Sequence, residues 1–191
     1  MAGKQEVEIK FRVQDLASLR RRLRTAGFRE ITRPTLESNT LFDNVLGGLA
    51  DRGEVLRIRR YGKRWTLTHK SRGQSAKHKV RTEMEMEIPD GETLATILGA
   101  LGYQPSFRYE KVRSEWTDGK GHVVLDETPI GDFGEIEGTP AWIDRTAKKL
   151  GLVVADYITS SYMALFFAWK RRTNHPAREM TWKAITGKTK R

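Results

Sequence analysis

Residues 6–13 read Glu-Val-Glu-Ile-Lys-Phe-Arg-Val, and residues 79–88 read Lys-Val-Arg-Thr-Glu-Met-Glu-Met-Glu-Ile. Both alternate charged and apolar side chains with period two. In a strand that spacing sends Glu6, Glu8, Lys10 and Arg12 to one face and Val7, Ile9 and Phe11 to the other. The same alternation puts Arg57 and Arg59 on one face, then Thr66, Thr68 and Lys70, then Arg81, Glu83, Glu85 and Glu87. Later it yields Lys111 and Arg113, Asp126, and Glu135 and Glu137. The opposite faces carry Leu56 and Ile58, Trp65 and Leu67, Met84, Met86 and Ile88, and Phe133 and Ile136. Guanidinium and ammonium groups suit phosphate oxygens. Clustered carboxylates suit a hard divalent cation such as Mg²⁺ or Mn²⁺. Both on one face point to a metal–polyphosphate complex. One such strand alone is an ordinary wet sheet face, with cross-strand pairs worth about 0.2–1 kcal/mol each. Its recurrence on nearly every strand points to one shared, charged enclosure.

The elements that must position these groups are legible in outline. Strands are expected at Glu6–Val13, Thr35–Phe42, Glu54–Tyr61, Arg64–Lys70, Val80–Ile88, Arg108–Trp116, His122–Glu127 and Phe133–Glu137. Asp15 reads as an N-cap, followed by the apolar stripe Leu16, Leu19, Leu23 and Ala26, with Gly27 as the stop. Leu94, Ile97, Leu98 and Leu101 mark a second helix. Trp142–Leu150 and Ile158–Trp169 are two more. Hairpin-connected strands with helices between or after them give an α+β fold on an antiparallel sheet, without the βαβα rhythm of a doubly wound fold. A sheet whose faces are so sharply divided can close into an eight-stranded barrel. Its apolar outside would be covered by four helices, and its lumen would be just wide enough for side chains or one small ligand. Ions in such a lumen must be paired or hydrated. Met84 and Met86 are expected to pack under a helix. A phosphate-binding P-loop is absent, because Trp182 stands where the first glycine before Gly187-Lys188-Thr189 would be needed.

The chain has 191 residues, 38% of them hydrophobic and 31% charged, and a net charge of +11. That size suits one domain, expected over residues 1–169, with a basic extension over 170–191. The charge favours an anionic partner. No cysteine is present, which excludes disulfides and thiolate metal sites and fits a cytoplasmic protein. No apolar run approaches the roughly 18 residues of a membrane span. The start, MAGKQEVEIK, has no apolar segment of a secretory signal. The four histidines have no ligand-like spacing, and the five tryptophans are scattered.

Glu6-Val7-Glu8-Ile9-Lys10 resembles the ExExK signature of the CYTH superfamily, the triphosphate tunnel metalloenzymes. The resemblance continues in order through L-R-I-R (56–59), L-T-H-K (67–70), R-T-E-M-E-M-E (81–87), Y-E-K-V-R (109–113), V-V-L-D-E-T (123–128) and G-D-F-G-E-I-E-G (131–138). It covers about residues 5–165. It implies an eight-stranded antiparallel tunnel holding a triphosphate with Mg²⁺ or Mn²⁺. It also implies Glu6, Glu8, Asp126, Glu135 and Glu137 as metal ligands. Lys10, Arg57, Arg59, Lys70, Arg81, Lys111 and Arg113 would grip phosphates, with Glu83 and Glu85 in support. Lys10 and Glu8 would be catalytic, Lys10 as a base only if neighbouring cations lower its pKa. Ser38–Asp43 (S-N-T-L-F-D), Ser160–Phe166 (S-S-Y-M-A-L-F) and a helix after the first strand resemble the branch of class IV adenylyl cyclases and thiamine triphosphatases. Asn39 for the usual Asp, His69 for the common Tyr and the basic tail depart from it.

The resemblance implies a small-molecule triphosphate partner: ATP, tripolyphosphate or thiamine triphosphate. Conversion of ATP to cyclic AMP and pyrophosphate is the first expectation, and hydrolysis of a terminal phosphoanhydride the alternative. Pairing into a homodimer is also compatible with it. A third reading is a non-catalytic polyphosphate or nucleic-acid binder using the basic tail and Arg20, Arg21, Arg22 and Arg24. It accounts for the net charge but not for the aligned carboxylates, so a nucleic-acid partner is disfavoured.

Overall fold

The computed structural model describes residues 3–190. Eight long strands form one antiparallel barrel: β1 (Lys4–Val13), β2 (Arg29–Asn44), β3 (Val55–Tyr61), β4 (Arg64–Lys70), β6 (Lys79–Ile88), β7 (Tyr103–Thr117), β8 (His122–Thr128) and β9 (Gly131–Glu137). A two-residue strand, β5 (Gln74–Ser75), lies against β6. The order is β1-β9-β8-β7-β2-β3-β4-β6, and β6 pairs with β1 to close the ring. Closure removes the free edges of an open sheet.

Among the described residues six helices flank the strands, where four were expected: α1 (Leu16–Thr25), α2 (Gly48–Asp51), α3 (Gly91–Ala100), α4 (Pro140–Lys149), α5 (Tyr162–Thr173) and α6 (Trp182–Thr186). Asp15 caps α1, accepting from Ser18 N at 3.0 Å. Leu19 and Leu23 seal α1 to the barrel with Ile9, Phe11, Trp116, Ile136 and Ile143. A Cβ at Gly134 would lie 2.2 Å from the Phe11 ring, so only glycine lets β9 pass under that ring. Asp90 caps α3, which lies over Phe42, Ile58, Trp65 and Leu67.

Two expectations about faces and one about a helix boundary are corrected. Phe133 shares the inward face with Glu135 and Glu137, as period two requires, and is fully buried against Tyr162. Met84 and Met86 lie under no helix; they are 48% and 58% exposed on the outer face of β6. The last long helix begins at Tyr162, not Ile158, because Ile158 exchanges two backbone hydrogen bonds with Lys10 and extends the sheet beside β1.

The strand directions fix two ends. At one end lie the β3–β4 and β7–β8 turns, near the exposed Glu85 and Glu87. At the other, α5 and the chain after it fill the lumen with Phe107, Tyr109, Ile130, Phe133, Tyr162, Phe166 and Met180. The residue 169/170 boundary falls inside α5. After Asn174 the chain turns back, and Met180 bonds to Arg108 O and Glu110 N. It thereby occupies the edge of β7 before β8 begins to pair with it at Val112.

Candidate active site

The lumen has two walls of different character. The first comes from β2, β7, β8 and β9. Asp126, opposite Arg113 in the β7–β8 register, accepts from Arg113 Nε at 2.7 Å and Nη2 at 2.6 Å, from Lys111 Nζ at 3.1 Å and from the Tyr162 hydroxyl at 2.5 Å. Glu135 takes the other side of Arg113 and pairs with Lys10. Glu37 lies 3.4 Å from Lys111 Nζ and accepts from Asn39 Nδ2 at 3.0 Å. Asp126 and Glu37 are fully buried. The Tyr162 ring closes this wall at the plugged end, with the Lys10 and Lys111 ammonium groups 4.3 and 4.8 Å from its centroid.

The second wall comes from β1, β6, β4 and β3. Lys70 Nζ sits between Glu6 at 2.8 Å and Glu83 at 2.9 Å. Arg57 and Arg59 face Glu85 at 3.5 and 2.9 Å, and Thr68 donates to the same carboxylate at 2.7 Å. Lys79 donates to Glu8 at 2.8 Å. Arg81, opposite Glu6, keeps a buried Nε with no hydrogen-bond partner. Every predicted phosphate-binding and supporting side chain therefore lies on the inward face.

The electrostatics of the walls diverge. In the first, burial would raise the carboxyl pKa values, but cations outweigh it. Lys111 and Arg113 hold Glu37 well below its usual range, and Lys10 and Arg113 do the same to Glu135. In the second the outcome differs from acid to acid: burial is overcome at Glu83 by Lys70 and Arg57, which lower it, and prevails at Glu6. It pushes Glu6 up to about 7 against the pull of Lys70, and the nearby charges of Glu8 and Glu83 add to it. Burial also raises Glu8, but Lys10 chiefly, with Lys79 and Lys70, brings it down to about 2. Lys10 is raised: burial works against its charge, but Glu135 and Glu8 overcome it. The condition set for Lys10 as a base is thus unmet, since its nearest charged neighbours are anions.

These surroundings sort the expected metal ligands. Asp126 is committed to three donors on the protein, and Glu135 to two cations. Glu6 and Glu8 each hold one lysine, Lys70 and Lys79, and Glu137, directly opposite Glu8 in the β1–β9 register, lies 3.7 Å from the exposed Lys4. Two carboxylates facing across a strand pair repel, and Glu6 is raised first by burial and then by the charges of Glu8 and Glu83. That donor set fits a hard divalent cation bound through oxygen. Among the described residues no three acidic or histidine side chains form a ready-made cage, so phosphate oxygens and water would complete the coordination.

Sequence reasoning missed Glu37, Asn39, Lys79, Tyr109 and Tyr162. Glu37 and Asn39 were readable, since they share one face of a predicted strand. Tyr162 lay in the S-S-Y-M-A-L-F segment that carries part of the resemblance, but its role was not readable, because that role depends on a helix entering the lumen from outside.

The CYTH domain model matches residues 4–160. The chain is 28% identical over 174 residues to adenylate cyclase CyaB of Aeromonas hydrophila, covering 85% of this chain and 89% of that one. A Pyrococcus furiosus protein described only as conserved and hypothetical has the same architecture at a TM-score of 0.71, with 26% identity over 84% of this chain and 99% of that one. A Hippeastrum protein whose structure was described as revealing a dominant triphosphatase activity aligns at a TM-score of 0.63 with 23% identity, over 85% of this chain and 95% of that one. With a domain match running from the first strand to the segment that pairs with Lys10, on a closed eight-stranded tunnel, the chain belongs to the CYTH domain family.

Proposed function

We propose that the tunnel binds a triphosphate with a divalent cation and that the protein is an adenylate cyclase, converting ATP to cyclic AMP and pyrophosphate. The observation that carries the triphosphate reading is the lumen itself. It is lined by Lys10, Arg57, Arg59, Lys70, Arg81, Lys111 and Arg113, each but Arg81 already within 4 Å of a carboxylate. A phosphate chain can take the place of those carboxylates without leaving a buried cation unpaired. Support for the cyclase comes from the Aeromonas relative's name.

In this reading Arg57, Arg59, Lys70 and Arg81 hold the phosphates from the more solvated wall. Lys111 and Arg113, held in place by Asp126, do so from the buried one. Glu6, Glu8 and Glu137 would hold Mg²⁺ or Mn²⁺, which when bound supplies charge neutralisation at phosphate oxygens. Lys10 stays protonated between Glu8 and Glu135, so it stabilises developing negative charge rather than removing a proton. The ribose 3′ oxygen bonds to the α-phosphorus, the bond to the bridging oxygen of pyrophosphate breaks, and the hydroxyl proton is released.

The second reading is hydrolysis. The same grip would serve attack of water on a terminal phosphorus, and the Hippeastrum protein shares the fold. A product assay separates the two. Purified protein with Mg²⁺ or Mn²⁺ is offered ATP, tripolyphosphate and thiamine triphosphate in turn. Cyclic AMP and pyrophosphate from ATP are expected, with a fall of roughly 100-fold or more in Glu8→Gln, measured below that variant's lowered melting temperature so that the protein is still folded. Orthophosphate without cyclic AMP would replace the cyclase by a triphosphatase. No turnover of any of the three would remove the enzyme.

A further inference from the structure

The segment between β4 and β6, residues 71–78, lies at the same end of the barrel as α5, because β4 ends there and β6 begins there. It is held quite differently from the apolar plug beside it. At its start, Arg72 packs on Gly53, whose added Cβ would meet Arg72 Cγ at 3.1 Å. Gly73 lies on the Arg81 side chain; an added Cβ would come within 2.8 Å of Arg81 Nε. At its end, two side chains converge on one carboxylate of α4. Lys77 Nζ donates to Asp144 Oδ2 at 2.7 Å, and His78 Nε2 lies 2.9 Å from Asp144 Oδ1. The Tyr157 hydroxyl also donates to Oδ1, at 3.3 Å. Burial would raise the Asp144 carboxyl, but Lys77 and His78 together hold it below its usual range.

The residue after His78 is Lys79, whose ammonium is fixed on Glu8. The segment also sits at a seam: β1 pairs with β6 only as far as Glu8, and from Lys10 its partner on that side is Ile158. Asp144 therefore joins, outside the barrel, the two pieces of chain that share one side of β1.

We propose that residues 71–78 form a strap closing the lumen over Arg81, and that Asp144 is a positioning residue which, through Lys77 and His78, keeps Arg81 covered and Lys79 on Glu8 for a bound polyphosphate. The proposal rests on the triphosphate reading of the tunnel. Asp144 is outside the lumen and touches none of its charged residues. Its effect passes through the strap alone.

The test uses the whole protein with tripolyphosphate and Mg²⁺ as the probe. Amide hydrogen exchange over 71–79 and calorimetric binding are compared in wild type, Asp144→Asn and Asp144→Glu. In Asp144→Asn, exchange over 71–79 should accelerate about tenfold or more while β8 and β9 keep wild-type rates. The dissociation constant should rise about tenfold. Asp144→Glu, which keeps the carboxylate, should recover most of both. Unchanged exchange in Asp144→Asn would show that Asp144 holds no strap. Faster exchange with a dissociation constant within about twofold of wild type would show that the strap positions nothing. Either result overturns the proposal while leaving the triphosphate reading standing. Failure of the wild-type protein to bind tripolyphosphate at all would overturn that reading, and the positioning role with it.

Discussion

The two walls of the lumen use the same residue types to opposite ends. On the β7–β8–β9 wall, acids and bases saturate one another. Asp126 serves Lys111, Arg113 and Tyr162 together, and Glu37 and Glu135 are held ionised by the cations around them. On the β1–β6–β4 wall, Lys70 is shared by two acids, Glu6 is pushed up to about 7, and Arg81 Nε has no partner. The first wall is the more complete: Lys111, Arg113 and Asp126 are all paired, while Glu37 Oε2 and Asn39 Oδ1 keep no hydrogen bond. The second has donors to spare, Arg57 Nε and Arg81 Nε, and makes Lys70 serve two acids, as expected of the surface a ligand must finish. The lesson is that buried ion pairs of similar appearance separate into framework and binding groups by how fully each partner is satisfied.

The sharpest way to break this contrast is Asp126→Asn. It leaves Lys111 and Arg113 buried without their shared anion and should cost about 3–5 kcal/mol. At about 2–4 °C per kcal/mol for a chain of this size, thermal denaturation should show a fall on the order of 10 °C. A loss as small as that of a surface mutant would mean that the first wall is no framework. Tyr162→Phe is milder. It removes one donor to Asp126 but keeps the ring beside Lys10 and Lys111, and should lower stability by about 1–2 kcal/mol in the same measurement. The smallest effect sharpens the other side. A carboxyl raised from 4.5 to about 7 on folding stabilises the protein when protonated. That contribution is complete below pH 4.5 and is lost as pH rises to about 7. Glu6→Gln lacks this loss, so its stability relative to wild type should improve by about 1–2 kcal/mol between pH 5 and pH 8. Paired denaturant melts at the two pH values read it directly. A constant difference across that range would place Glu6 with the saturated acids.

Much of this was legible because period two is a local signal. Glu6, Glu8 and Lys10 declare a face in five residues, and so do Arg57 with Arg59 and Glu83 with Glu85. Applied to Phe133, the same rule already pointed inward, and only its apolar character suggested otherwise. Met84 and Met86 show the converse: apolar residues on an outward face do not tell whether a helix will cover it. Which acid would pair with which base was not readable. Lys10 meets Glu135 across 125 residues of chain and Lys79 meets Glu8 across 71; the pairing of β1 with β9 sets the first register and closure of β6 on β1 the second. The residues after Trp169 read as a basic tail because their apolar members, Ala177, Met180 and Trp182, follow no helical or strand period. They are spaced to fit the end of the barrel instead.

That filled end governs traffic through the molecule. With Phe107, Phe133, Tyr162 and Phe166 packed across it, the passage is shut at that end. A triphosphate bound as proposed would have to leave by the way it entered, its deeper fragment last. A long polymer would not be threaded through; only its terminus would be presented, one engagement at a time.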